Sequence, residues 1–308
     1  MNSKTFLLLL VLFPRMAIAI ESFPIAITID DLPAAGGAPV GESRKDVSTR
    51  IIETLKKHHT GSVYGFVNGS VTVNMSERAE VLKQWKDAGH KVGNHTFSHF
   101  DLGKVSATDY MRDIEKNEST LIDYADTIHE LKVFRYPFLS EGDTVDKRYA
   151  VRSYLAGRNY RIAQVSVDFY DWDWIDAYTR CVNKKQTKDL TKLKDLYLRE
   201  AREQLLYSLR MKKMIYGPQK QFVYILLLHY SQATSIYLDD LLTAYEKQGA
   251  KWVTLDDAFN SKSYDEDTGF VDEDGEPYLI QAAKSRKLNT RSIYQPESQE
   301  KLLNGYCL

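Results

Sequence analysis

The sequence predicts an α/β fold of the (β/α) barrel type in a single catalytic domain, on three observations. Short β-branched runs alternate with helix-patterned stretches along most of the chain, the rhythm of strand–helix units around a parallel sheet. Polar residues able to do chemistry fall at the ends of those runs, where barrel sites are built. A chain of 308 residues that is 43% hydrophobic supplies one large core, and α/β barrels of that length are routinely single domains.

The first residues stand apart from this rhythm. Lys4 precedes an apolar run from Phe6 to Phe13, and Ala17-Ile18-Ala19 offers small residues for cleavage. Residues 1–19 are therefore expected to be a secretory signal peptide, placing the protein outside the cytoplasm, secreted or periplasmic. An uncleaved anchor is the other reading, although the run falls short of the roughly 20 residues of a membrane span.

The first strand, about 25–29, ends in Asp30-Asp31. Successive strand side chains diverge, so both carboxylates serve one site only if the chain turns there, and Leu32 to Gly37 supplies the turn. One acid can then hold a metal while its neighbour moves a proton. A helix at about 43–58 and a strand at 62–67 follow. The next helix, 77–88, starts at a capping Ser76 and stops at Gly89.

After a strand at 91–94 comes Asn94-His95-Thr96-Phe97-Ser98-His99. A spacing of four sets His95 and His99 on one side of a helical turn, within reach of a common ion. With one carboxylate they leave positions for water and substrate, as a hydrolytic zinc site requires. Two loop histidines bonded to backbone are the plainer alternative, and Thr96 and Ser98 read as loop hydrogen-bonders.

A helix at 107–128 leads to a strand at 132–135 that finishes in Arg135-Tyr136-Pro137-Phe138. A helix at 146–157 and a strand at 161–167 end in Asp168-Phe169-Tyr170-Asp171-Trp172. Residues 175–220 exceed a simple connection and contain a charged helical stretch from Asp189 to Lys212, read as a helical insertion that is either a solvated face or a specificity flap. A strand at 221–228 ends in Leu227-Leu228-His229, and a helix at 237–248 and a strand at 251–255 complete a domain spanning 20–260. The acidic, turn-rich residues 261–308 form a C-terminal extension, either ordered on the barrel or partly mobile. Cys181 and Cys307 either staple that tail to the insertion or remain two thiols. His58, His59, His90 and His129 sit near helix ends and are expected to have no catalytic part.

The ordered segments Thr28-Ile29-Asp30-Asp31, His95-Thr96-Phe97-Ser98-His99, Arg135-Tyr136-Pro137-Phe138, Asp168-Phe169-Tyr170-Asp171-Trp172 and Leu227-Leu228-His229 resemble the five motifs of the polysaccharide deacetylase family, also called NodB-homology or carbohydrate esterase 4: T-F-D-D-G, H-S/T-x-x-H, R-x-P-Y/F, D-x-x-D-W and L-x-H. The resemblance covers about residues 24–256. It implies a distorted barrel of seven or eight strands, with Asp30 as the base and Asp31, His95 and His99 as ligands to one divalent metal ion. Arg135 would orient Asp30, the Phe138 backbone N–H would help bind the oxyanion, and His229, supported by Asp171, would protonate the departing amine. Trp172 and Leu227 would shape the acetyl pocket. Each has a plainer structural reading, as turn former, ion-pair partner or core residue, and Asp168 is as readily a strand-end cap as a site residue. Tyr170 and Trp174 are either sugar-stacking platforms or core.

Three positions depart from the motifs. Leu32 replaces the usual glycine, so the loop after the first strand must take another path; Phe138 replaces tyrosine; and Tyr230-Ser231 follows the last histidine where an acidic residue is usual. A formal charge of −1 and a pI near 6.7 argue against capture of nucleic acid or an anionic membrane by charge. The expected function is thus an exported deacetylase that removes acetyl groups from N-acetylglucosamine in a carbohydrate polymer, peptidoglycan first, with chitin, chitooligosaccharides or xylan as alternatives. Zinc suits two imidazoles and a carboxylate, and cobalt or another transition metal can use the same set. The rivals are a hydrolase of a non-sugar amide and a carbohydrate-binding pseudoenzyme. The sequence leaves the oligomeric state open.

Overall fold

The computed structural model describes residues 21–36, 41–73, 76–290, 293 and 299–308; the expected signal segment lies outside them. The strands are β1 (Phe23–Leu32), β2 (Tyr64–Val67), β3 (Lys91–Asn94), β4 (Val133–Phe134), β5 (Arg161–Ile162), β6 (Tyr224–His229) and β7 (Ala250–Val253). The helices are α1 (Arg44–Lys57), α2 (Ser76–Asp87), α3 (Ala107–Leu121), α4 (Ile128–Leu131), α5 (Val145–Gly157), α6 (Trp174–Asn183), α7 (Thr187–Tyr216), α8 (Gln232–Lys247), α9 (Leu255–Asn260), α10 (Tyr278–Ser285) and α11 (Glu300–Leu303).

The strands form one parallel sheet in the order β5-β4-β3-β2-β1-β6, curled into a half-barrel with helices outside. β1 organises it. One edge of β1 pairs Ile25–Asp30 with Tyr224–His229 of β6, while the other takes β7 against Phe23–Ala26 and then β2 from Thr28 onward. The expected 161–167 strand is split: Arg161 and Ile162 pair with β4, and Val167 bridges Leu226 of β6. One short segment therefore touches both edges of the curl.

Alternation along β1 sorts its side chains. Ile25, Ile27 and Ile29 join the outer core against the helices, and Ala26 joins the inner one with Tyr64, Phe66, Val133 and Ile225, closed from below by Leu255 and Ala258 of α9. By the same alternation Thr28 and Asp30 face inward, which brings Asp30 to the mouth.

Caps explain several boundaries. Ser43 makes a capping box with Asp46 at the start of α1, and Ser231 accepts a bond from the Thr234 N–H, so α8 begins five residues before the expected 237. The expected helix at 107–128 stops at Leu121 and resumes only as the short α4. The insertion is two helices, α6 and a 30-residue α7. The extension is ordered over its described residues: α10 buries Tyr278, Leu279, Ala282 and Ala283, and Cys307 is bonded to Cys181 of α6. Among the described residues no helix is long and apolar enough to cross a membrane.

Candidate active site

Asp30 and Asp31 share the mouth because the backbone turns between them. Asp31 has φ 62°, a left-handed conformation that breaks strand alternation and brings its carboxylate to the side Asp30 already faces. The departure at Leu32 has a packing cause: Leu32 is fully buried, and a Cβ on Gly65 of β2 would lie 2.6 Å from its Cδ2. Gly65 leaves room for the side chain that a glycine at 32 would lack.

The two histidines lie in the loop after β3, not on a helical turn as their spacing suggests. Thr96 and His99 have φ near 57° and fold the loop instead. Asn94 and Asn117 hold its base: Asn117 Nδ2 donates to the Val67 carbonyl and to Asn94 Oδ1, and Asn94 Nδ2 donates to the Ile114 carbonyl. Ser98 bonds Asp113 through its N–H and hydroxyl, whereas the Thr96 hydroxyl is buried without a partner.

Asp31, His95 and His99 place one donor atom each within 4.8 Å of one another. His99 Nε2 is 3.4 Å and His95 Nε2 3.8 Å from Asp31 Oδ1. His95 Nδ1 lies 2.9 Å from the Arg135 carbonyl, which can only accept, so Nδ1 carries the proton and the Nε2 lone pair faces the cluster. Burial, and then His99, push His95 down to about 3, leaving it neutral. Burial pushes Asp31 up, but His99, His229 and His95 more than offset it and hold the carboxyl below its usual range; Asn68 also donates to Oδ1 at 2.7 Å. Two neutral imidazoles and an ionised carboxylate suit a divalent cation with open positions.

Asp30 is held differently. Arg135, fully buried, donates from Nη1 to both Asp30 oxygens at 3.2 Å, from Nη2 to Thr28 and from Nε to the Ala163 carbonyl, with the Phe66 ring 4.7 Å from its guanidinium carbon. Burial raises Asp30 to about 6 against the pull of Arg135 and His229. Across the β1–β6 pairing His229 is in register with Asp30. Asp171 accepts from the His229 N–H at 2.8 Å and meets its Nδ1 at 2.7 Å. Burial lowers His229, but Asp171 outweighs it and lifts the ring to about 10. Ser231, where the family has an acid, caps α8 instead.

Asp30, Asp31, His95, His99 and His229 line a cavity of about 550 Å³ together with Phe138, Trp172 and Leu227, whereas Arg135 and Asp171 stand behind Asp30 and His229 and do not line it. Phe138 (φ 57°) packs its ring 4.6 Å from that of His99. Asp168 is buried at the pocket wall, accepts from the Tyr170 N–H at 2.8 Å, and is raised to about 6 by burial. Trp174 is no platform: it is fully buried against Tyr197. His58 joins α1 to α8 through Asp239 and Glu246, and neither His59, His90 nor His129 lines the pocket.

Sequence reasoning missed several wall residues. Ile175 and Asp176 come from α6, and Asp274, Gly275 and Pro277 from the extension. Gly275 approaches the Phe138–Ser140 backbone so closely that a Cβ would lie 1.9 Å from the Phe138 oxygen, so only glycine fits. Asn68, which donates to Asp31 without lining the pocket, was also missed, although it is a polar residue at the end of a predicted strand, followed by glycine.

Residues 20–154 match the family model described as polysaccharide deacetylase. The chain is 29% identical over 155 residues to the peptidoglycan-N-acetylglucosamine deacetylase of Bacillus cereus, covering 50% of this chain and 48% of that protein. It is 26% identical over 149 residues to the chitin deacetylase of Arthroderma benhamiae, covering 48% of this chain and 35% of that one. The chain thus spans less than half the length of these two curated relatives. A solved CE4 family pseudoenzyme from Bacillus anthracis superimposes with TM-score 0.51 at 18% identity over 79% of this chain and 67% of its own, a likeness of fold alone.

Proposed function

We propose, from the premise that this chain carries a polysaccharide deacetylase domain, that it is an exported, metal-dependent hydrolase of N-acetyl groups on N-acetylglucosamine, with peptidoglycan as the polymer. The observation that carries this reading is that Asp30 and His229 stand side by side at the ends of β1 and β6 in one pocket, beside the Asp31–His95–His99 cluster. A glycan-binding pseudoenzyme has no use for both a base and an acid placed in this way.

A divalent ion at Asp31, His95 and His99, zinc first, would supply Lewis-acid polarisation of the acetyl carbonyl. The rest falls to the chain's own residues. Asp30, kept in place by Arg135, takes a proton from the attacking water. The Phe138 N–H would bind the developing oxyanion, and Leu227 and Trp172, which line the same pocket, would bound the acetyl methyl. His229, held by Asp171, gives its proton to the amine as the carbon–nitrogen bond breaks, releasing acetate and a free amino sugar.

Chitin is the second reading, favoured by the likeness to a chitin deacetylase. Acetate release by the purified, metal-loaded protein on peptidoglycan and on chitooligosaccharides tests both. Faster release from peptidoglycan is expected; the reverse order would shift the assignment to chitin, and no acetate from either would remove the deacetylase reading.

A further inference from the structure

A second cavity, of about 670 Å³, lies outside the catalytic pocket and exceeds it in volume. One wall is a single helix face: Val145, Arg148, Tyr149, Arg152, Ser153 and Ala156 of α5 follow the spacing of side chains on one side of a helix. The opposite face of α5 buries Val151 and Leu155 in the core. The cavity face keeps Val145 70% and Tyr149 74% exposed, one turn apart.

The polar groups are balanced. Arg148 bonds Asp267 and pairs with Glu141 at 3.1 Å, Arg152 meets Glu141 at 2.7 Å, and Gln164 donates to the other Glu141 oxygen. Each guanidinium here already has a carboxylate, so the cavity offers no bare positive charge to an anion, and its one carboxylate without an ion pair among the described residues, Asp265, is exposed to solvent. Arg148 is 7% exposed, yet its Nε has no acceptor, leaving one buried donor unmatched at the cavity wall. An exposed aromatic ring beside planar, charge-compensated donors and acceptors is the chemistry that recognises a neutral, hydroxyl-rich ring, whose C–H face stacks while its hydroxyls bond.

The extension contributes to the walls of both cavities. Val271 lines the first and Asp274 the second, and three residues of chain span at most about 11 Å. We propose that this cavity is an accessory subsite that holds neighbouring residues of the same sugar chain whose N-acetyl group is hydrolysed, with Tyr149 as the stacking ring. The proposal rests on the carbohydrate reading of the catalytic pocket.

Calorimetric binding of N-acetylchitobiose and N-acetylchitohexaose to the full chain carrying Asp30→Asn tests it without turnover. The hexamer is expected to bind at least tenfold more tightly than the dimer. Tyr149→Ala in that background should remove most of this ratio while leaving dimer affinity within twofold, and Tyr149→Phe should restore it. Equal affinities for dimer and hexamer, no binding of either, or a ratio unchanged by Tyr149→Ala would overturn the subsite. If the hexamer binds in this Tyr149-dependent way while wild-type protein releases no acetate, the subsite stands and the deacetylase reading falls.

Discussion

Asp30 and Asp31 are the same residue type in different surroundings, and their surroundings set their roles. Asp30 meets a buried guanidinium; Asp31 meets two imidazoles and an amide. Asp30→Asn should therefore keep bound metal close to wild type while slowing deacetylation on the order of 10²-fold or more, because an amide keeps the shape but accepts no proton. Elemental analysis and acetate release from the same preparation check both halves; near-normal turnover would remove Asp30 as the base. His229→Ala should slow an N-acetyl substrate far more than an activated aryl acetate, whose phenolate leaves without an acid. Equal losses on the two substrates would count against the proton-donor role. The residues of both clusters were legible in the sequence because each ends a β-branched run. The local backbone was not. Asp31, Thr96, His99 and Tyr170 occupy left-handed conformations that non-glycine residues adopt only when tertiary contacts impose them, and no local pattern announces that. Asn68, a lone amide, has only its place at the end of a predicted strand to mark it.

Elements packed by periodicity were read well, and elements fixed by distant contacts were not. β1 and α1 carry their own alternation and cap, whereas β5 ends after two residues because its continuation crosses to β6. The extension showed little periodicity, yet it is fastened to α5 by charge: Arg148 and Arg152 both reach Asp267, more than a hundred residues away. Burial pushes the Asp267 carboxyl up, but Arg148 and the Gly269 N–H outweigh it and hold it down to about 2, from an ordinary 3.8. A depressed acid stabilises the fold above its ordinary range and loses that contribution as pH falls from about 4 towards 2. Asp267 is half exposed, so solvent screening limits the pair to about 1 kcal/mol or less. Asp267→Asn should thus lower Tm by about two degrees or less at pH 7, and thermal melts should show that gap closing as pH falls from about 4 towards 2. A gap that widens on acidification would contradict the pairing.

Across the whole molecule, the alternation of β-branched and helical stretches pointed to the architecture, and the order of the motifs pointed to the candidate site. The pocket walls escaped because they come from α6 and the extension, which meet the barrel only once it is folded. The Cys181–Cys307 bond ties these two additions together across 126 residues of sequence. Replacing both cysteines with serine should cost about 2–4 kcal/mol, seen as an earlier thermal transition that reductant no longer shifts. An unchanged Tm in the double variant would mean that packing of α10 on α7 suffices. The curl of the sheet has a further consequence, for behaviour in a crowd. An open parallel sheet offers its outermost strands as templates on which another chain can add a strand. Here β5 offers two residues, and the outer side of β6 is occupied at Leu226 by Val167. By laying one segment of its own chain along the β5 and β6 borders, the molecule leaves little length there on which a second copy could pair, a guard against strand-by-strand association at those two borders built from the same seven residues that complete the wall of the barrel.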